Sequence, residues 1–559
     1  MLPDKNLLER LAAWNSRHPL SLLALLTVIV LAPFLAKPFN MDDPLFIWAG
    51  QQIQSHPGDP YGFMVNWYGL PQPMWTATQN PPLFSYYLAL AAGLLGWTEI
   101  ALHGACLLPA VAAVLGTYRL AQSFCRWPQF AALVTLFAPG FLVSSTSVMS
   151  DVPMLAFWIW TVVFWTEGVR QDNFWKLAAA GTLAALTVLT KYNGLCLLPL
   201  LGAFGWLAKR SLGRWVAFLL IPVAALGASE WLSFQLYGHA HFLYANQYSQ
   251  ANQAFHGPAR LFKAFITLTF TGGAFAGALF LAPSLWRPRA LFMLTAGAAF
   301  CVALALAAGL MPRQFNWLAG NLRLGVELQI FFWAVAGVSV LALALAELWQ
   351  KPDPDAWLLA LWVLGTCVFA AFVYWMVNVR VILPMAPAVA ILVARRLAQN
   401  RAALSGGLKF ALVASAALSL LAAQADFQLA AATRKSAEKI CAKYAAPPGR
   451  LWFEGHWGFQ YYMAGFGAWP LTVDQTEMAA GDRLVRPAQN SNLLPPDPQK
   501  TTLQEILELP DFPWFATMNT DSGAGFYSDH WGPLPFAFGS IPPETYFVYL
   551  LKPPPQNPH

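Results

Sequence analysis

The sequence predicts a polytopic α-helical membrane protein with a small α/β domain at its C-terminal end. Three observations lead there. Of 559 residues, 57% are hydrophobic and 11% charged, against roughly 25% charged in an ordinary soluble domain, and mean hydropathy is +0.47. Apolar runs approaching the roughly 20 residues needed to cross a bilayer follow one another from residue 20 to residue 425. After residue 426 the apolar runs shorten and prolines cluster, as in Leu494-Pro495-Pro496-Asp497-Pro498.

The first run, Leu20 to Ala36, follows Lys5, Arg10 and Arg17. It is longer than a signal h-region and lacks a small-x-small exit, which predicts an uncleaved span. Further spans are expected near residues 100–121, 130–148, 152–168, 177–190, 194–208, 215–232, 264–285, 290–310, 326–348, 357–377, 381–395 and 408–425, about thirteen crossings in all. The apolar stretch from Pro81 to Gly96 is expected to lie along the outer surface as a juxtamembrane helix. With that choice Arg119, Arg126, Arg170, Lys176, Lys209, Arg210, Arg214, Arg287, Arg289, Arg395, Arg396, Arg401 and Lys409 share one side with the basic N-terminus, as the positive-inside rule requires. The two termini then lie on opposite sides, and the outer side receives a long loop from Lys37 to Asn80, a second loop from Phe234 to Lys263, a connection holding Arg313, Asn316 and Arg323, and the tail. Two domains are expected: a transmembrane domain over 1–425, with 37–97 as its first outer loop and juxtamembrane helices, and an extracytoplasmic domain over 426–559. In the latter, Arg450-Leu451-Trp452-Phe453 and Thr545-Tyr546-Phe547-Val548-Tyr549-Leu550 have the composition of strands.

Several function classes lack their signatures. The net charge of +6 is scattered at the ends of apolar runs rather than gathered on one face, so it marks topology and not nucleic-acid binding. There is no Walker loop, no G-x-G-x-x-G after a strand, no G-x-S-x-G and no H-E-x-x-H. Of six cysteines, five (Cys106, Cys125, Cys196, Cys301, Cys367) lie in or beside apolar segments, which argues against a disulfide framework.

The polar residues that break the membrane pattern are the candidates for chemistry. Asp42 and Asp43 stand in tandem just after the first span, in Asn40-Met41-Asp42-Asp43-Pro44. A helix cap accounts for one carboxylate; two, in a chain with few charges, point to a site. Asp151 falls at an outer junction of two spans on the same side, where the alternative is a plain surface turn. Lys191, Arg380, Arg313 and Arg323 are cations on the outer side, against the positive-inside rule. Snorkelling accounts for any one of them; as a group they suit a lipid phosphate. Asn80, before Pro81-Pro82-Leu83, and Tyr192, beside Lys191, border the same loops. His239 and His241 have strand-like metal spacing without a third ligand nearby, so they and His256 are expected to be interfacial. His456 and Trp457 either contact an acceptor or pack the tail on the outer loop.

In order and sidedness these motifs resemble the GT-C glycosyltransferases of the protein O-mannosyltransferase and aminoarabinose-to-lipid A transferase type. The resemblance is carried by Asp42-Asp43, Asn80-Pro81-Pro82-Leu83, Asp151, Thr190-Lys191-Tyr192 and Arg380-Val381-Ile382-Leu383-Pro384, and it covers the chain to about residue 400. It implies a GT-C membrane fold and transfer of a sugar from a polyprenyl-phosphate donor to an acceptor at the outer face, usually with inversion. It also implies that Asp42 is the catalytic base, that Asp43 stands where the family usually has Glu, and that Lys191 binds phosphate. Asn80 replaces the Lys that aminoarabinose transferases carry, which argues against that sugar.

The residues suit this chemistry on physical grounds as well. An acceptor hydroxyl needs a carboxylate to take its proton, and a departing polyprenyl phosphate needs fixed cations such as Lys191 and Arg380. Asp43 and Asp151 would organise base or acceptor. No metal or other cofactor is required by this scheme, though a divalent cation stays compatible with it. The expected partners are the lipid-linked donor, membrane lipids and a lipid, glycan or protein acceptor bearing a hydroxyl or phosphate; the expected place is a bacterial inner membrane with the site on the periplasmic side. The alternatives are a secondary transporter, which predicts inverted repeats and midplane breaks, and a non-catalytic lipid-binding protein.

Overall fold

The computed structural model describes residues 18–253, 259–309, 323–400, 406–445, 449–473, 478–510 and 512–553. The apolar runs fold as helices packed into one extended core that continues into the tail. Among the described residues, eight helices are long and apolar enough to cross a membrane, or nine if one bent pair counts as a single span. The thirteen expected spans each overlap helical structure, several of them on short or broken helices. The apolar segment after Asn80 forms Leu83–Leu95, 13 residues long and about 20 Å at 1.5 Å per residue, too short for a bilayer core of about 30 Å.

Two of the expected spans are interrupted. The run over 130–148 divides into Pro128–Leu136 and Pro139–Ser144, because Pro139 has no N–H to continue the ladder. The carbonyl of Phe137 at this break accepts hydrogen bonds from Ser415 Oγ at 2.7 Å and Ser419 Oγ at 2.8 Å, both on another helix. The run over 264–285 bends by 85° between Ala274 and Gly277. Before the bend, Gly272 lies against the helix Leu324–Gln350 so closely that a Cβ there would sit 1.8 Å from the Trp333 carbonyl oxygen, a small-residue crossing of the kind membranes favour.

Asp151–Gln171 sets the direction of the molecule. Its first residue belongs to the ionic cluster described below, and near its last turn Arg170 pairs with Asp355 while Glu167 receives Arg119 at 2.8 Å and Lys176. Basic residues expected on one side therefore gather at the end opposite the candidate site. The last membrane helix, Gly406–Tyr444, is 39 residues long, about 58 Å at 1.5 Å per residue. The boundary expected at 425/426 falls inside it, since nothing in the sequence there stops a helix.

The tail forms a five-stranded mixed sheet in the order Trp469–Pro470, Leu451–Phe453, Arg483–Pro487, Glu544–Leu551, Thr501–Leu509. The first three strands are parallel, and Glu544–Leu551 runs antiparallel to both its neighbours. A helix, Trp457–Gly465, seats the tail on the first outer loop: the Phe39 N–H donates to Tyr462 Oη at 2.7 Å. Contact is tight enough that a Cβ on Gly458 would lie 2.2 Å from the Phe39 carbonyl oxygen.

Candidate active site

Four of the residues singled out by sequence meet in one chain of alternating charge. Asp42 precedes the helix Asp43–Ser55, which opens with Pro44 in its first turn where a missing N–H costs nothing. Its Oδ2 accepts from Arg380 Nη2 at 3.0 Å. Arg380, in the short helix Val379–Ile382 capped by the Asn378 side chain, also places Nη1 3.9 Å from Asp151 Oδ2 and 2.9 Å from Met149 Sδ. Asp151 in turn accepts from Lys191 Nζ at 2.6 Å. Lys191 ends the helix Phe174–Thr190 and leads into a turn.

The order of exposure along this chain matters. The Asp42 side chain keeps 32% of its surface open, against 10% or less for Arg380, Asp151 and Lys191. Buried charges persist only when paired, and here each cation is held by a carboxylate behind a single accessible acid. Aromatic rings frame that acid: Tyr68 and Tyr248 join hydroxyls at 3.1 Å, and Tyr248 packs edge-on to Trp375 at 5.8 Å.

Asp43 turns the other way. It is fully buried, its Oδ2 accepting the Asn40 N–H at 2.8 Å and its Oδ1 the Val148 N–H at 3.0 Å. Burial pushes its pKa up to about 7, against the pull of Lys37 and the two backbone donors. Asp43 thus staples the outer loop to the turn that follows the broken helix, and Met41 beside it adopts a left-handed φ of 47°.

The other candidates are distributed around this centre. Tyr192 Oη lies 2.8 Å from His241 Nδ1 and 3.4 Å from Glu230. His241 Nε2 faces the Thr78 carbonyl at 3.0 Å, so that nitrogen carries the proton and Nδ1 accepts from Tyr192. Burial lowers the His241 pKa to about 4 and keeps the ring neutral. The Asn80 carbonyl accepts from Tyr61 Oη at 2.8 Å. Asn80 and Tyr192 therefore belong to a hydrogen-bonded bracket beside Lys191, with Tyr192's hydroxyl committed to protein partners rather than offered to an acceptor. His239 stacks on Trp75 at 4.9 Å.

His456 and Trp457 border a cavity of about 30 Å³ that Asn40 and Met41 also line. Asn40 Nδ2 has no hydrogen-bond partner among the described residues; burial holds the His456 imidazole pKa down near 4, against the opposing pull of the Gln460 side chain. Trp457 adopts a φ of 64° and packs on Trp531 at 5.4 Å. Arg323 donates to the Asp521 carbonyl of the tail, a docking contact; the four-residue cluster is joined without it. Arg313, Asn316 and His256 lie outside the described residues. Among the described residues, no three His, Cys, Asp or Glu side chains form a metal-binding group.

Sequence reasoning missed a second, wholly buried ion pair beside the first. Lys37 Nζ bonds Asp426 Oδ2, with Thr146 and Ser147 hydroxyls at 3.5 and 3.4 Å. Asp426 also accepts from Thr517 Oγ1 at 3.0 Å and Tyr527 Oη at 2.9 Å. Lys37 was open to discovery, because it too is a cation on the outer side. Asp426 had no such signal beyond being an acid at the end of an apolar run.

With this geometry in place, comparison with known proteins is informative at one level. Residues 79–234 match the family described as dolichyl-phosphate-mannose-protein mannosyltransferase. No curated protein shows significant similarity to the chain. Similar solved structures include ArnT from Cupriavidus metallidurans bound to undecaprenyl phosphate, with 14% identity over 84% of this chain and 93% of that one and a TM-score of 0.40. The oligosaccharyltransferase AglB from Archaeoglobus fulgidus, in complex with an inhibitory peptide and a dolichol-phosphate, has 13% identity over 82% and 65% and a TM-score of 0.44. The arabinofuranosyltransferase AftD from Mycobacteria has 13% identity over 97% and 42% and a TM-score of 0.36. Over residues 79–234, a stretch that lies within the many-helix membrane architecture, the chain is similar to the dolichyl-phosphate-mannose-protein mannosyltransferase family.

Proposed function

We propose that the chain moves a sugar from a polyprenyl-phosphate donor to an acceptor hydroxyl or phosphate, with inversion, at the extracytoplasmic face of a bacterial inner membrane. The observation that carries this reading is the alternating array Asp42–Arg380–Asp151–Lys191, in which the one accessible member is a carboxylate and the cations lie behind it. Asp42 accepts the acceptor proton as the new bond to C1 forms. The bond from C1 to the phosphate oxygen breaks in the same displacement, and the electron pair leaves with the polyprenyl phosphate. Arg380 and Lys191 meet that charge in a poorly hydrated site, so no metal or other cofactor is required. A donor phosphate that engages Arg380 also draws it from Asp42 and raises the basicity of that carboxylate. Asp151 keeps both cations in place, and Asp43 fixes the loop that presents Asp42. The helices up to Tyr444 form the transferase domain, and the sheet-bearing tail after them is an extracytoplasmic domain completing the site from outside.

The family match includes a lipid-phosphate sugar in its description, which supports the donor class. The test is transfer of radiolabelled sugar from a panel of polyprenyl-phosphate donors, with a chelator present, in membranes holding wild type or Asp42→Asn. Loss of transfer by at least about a hundredfold in the variant, with donor binding kept, is expected of a general base. Equal transfer by the two proteins would remove Asp42 from that role.

A further inference from the structure

The tail segment that follows Gly525 does more than cover the membrane domain. Its backbone pairs with the strand-like stretch that leads into Arg380. Val379 N–H donates to the Phe526 carbonyl at 3.0 Å, and Asp529 N–H donates to the Val377 carbonyl at 2.9 Å. Asp529 Oδ1 accepts the Val377 N–H at 3.0 Å, closing the pairing from both sides. Between these contacts, the Tyr527 ring lies under Arg380, with the guanidinium carbon 5.3 Å from the ring centroid. The Tyr527 hydroxyl reaches the other way, to Asp426 Oδ2 at 2.9 Å and Ser147 Oγ at 3.3 Å. Both residues also bond Lys37, and the whole assembly is buried.

We propose that Tyr527 is a positioning residue for Arg380, and that the tail segment Phe526–Asp529 is an integral wall of the phosphate-binding centre. This rests on the reading of Arg380 as a donor-phosphate cation. Arg380 has two carboxylates in reach on different elements, and a guanidinium on a short helix would otherwise rotate toward whichever was nearer. An aromatic face beneath the fork fixes its plane while leaving its edge N–H groups free for oxyanions. The backbone pairing on either side of Tyr527 holds that face in place, and its hydroxyl adds bonds to Asp426 and Ser147. The tail therefore sets the orientation of a cation that the membrane domain supplies.

Two readouts test this, one of them independent of any donor. Phenylglyoxal modifies accessible arginine guanidinium groups, and its reaction at Arg380 is followed by peptide mass spectrometry in detergent-solubilised full-length protein. Tyr527→Leu removes the ring and is expected to speed modification of Arg380 about tenfold, while Tyr527→Phe, which keeps the ring, should change it by no more than about threefold. In the transfer assay, Tyr527→Leu should lower kcat about tenfold or more with little change in acceptor KM, and Tyr527→Phe should recover most of the rate. Wild-type labelling and wild-type kcat in Tyr527→Leu would overturn the proposal. If that variant does not accumulate, Asp529→Ala, which removes the side-chain bond to the Val377 N–H, decides it, and wild-type labelling and wild-type kcat there would overturn it. Failure of wild type to use any donor would count against the proposed activity alone, since the labelling still reports on the tail.

Discussion

Adjacent carboxylates at Asp42 and Asp43 meet opposite surroundings, the first a third exposed and paired with Arg380, the second enclosed between two backbone donors. The pKa of Asp43 is near 7 in the fold and 3.8 as an ordinary carboxyl. Between those values the folded state binds more protons than the unfolded state, so stability falls as pH rises through that window. The full span corresponds to roughly 4 kcal/mol, at 1.36 kcal/mol per unit. Wild type should melt at a lower temperature near pH 7 than near pH 5, and Asp43→Asn should flatten that slope; parallel slopes in a thermal scan would show that another group is responsible. The residues legible in the sequence were those that broke a rule of membrane composition: Asp42, Asp151, Lys191 and Arg380 each put a charge where none was expected. Asp426 and Tyr527 obeyed the rules of their own segments; they bond each other across 101 residues, and the ion-pair partner of Asp426, Lys37, lies 389 residues away, so only the fold reveals them.

At the scale of elements, hydropathy locates apolar helices and says little about their breaks. Pro139 announces one interruption in retrospect, whereas no proline stands between Ala274 and Gly277 to mark the bend of 85°. The break at Phe137 is sealed from outside by two serines on the last membrane helix. Either serine alone can satisfy the carbonyl, so Ser415→Ala or Ser419→Ala singly should cost little. The double variant leaves a buried carbonyl without its donors and should lose about 1–3 kcal/mol, measured as a thermal shift in detergent beyond the sum of the two single changes. A purely additive result would mean that the carbonyl finds another donor.

For the molecule as a whole, the apolar runs and their flanking charges indicated a membrane domain with one functional face, and in the structure Asp151 and Arg170 stand at opposite ends of a single helix, each in an ion pair. The tail was legible as a separate region of strands, but not as a contributor to the ionic centre, because its contact with Arg380 runs through a tyrosine and backbone groups that carry no charge signal. The 39-residue helix Gly406–Tyr444 links the two, running uninterrupted from the serines at the Phe137 break, through Asp426, to the edge of the sheet. At about 58 Å it is nearly twice the hydrocarbon thickness of about 30 Å. A helix of that length adapts to bilayer thickness by tilting, kinking or thickening the bilayer around it. In vesicles whose acyl chains are shorter or longer than the native ones, hydrophobic mismatch would be relieved by tilt, and tilt would lever the tail, and Tyr527 with it, across the Arg380 guanidinium. Transfer rates should therefore peak at one acyl-chain length and fall on either side, with donor headgroup and concentration held constant. The bilayer would then be an adjustable part of the candidate site, and its thickness a variable that the proposed transfer reads.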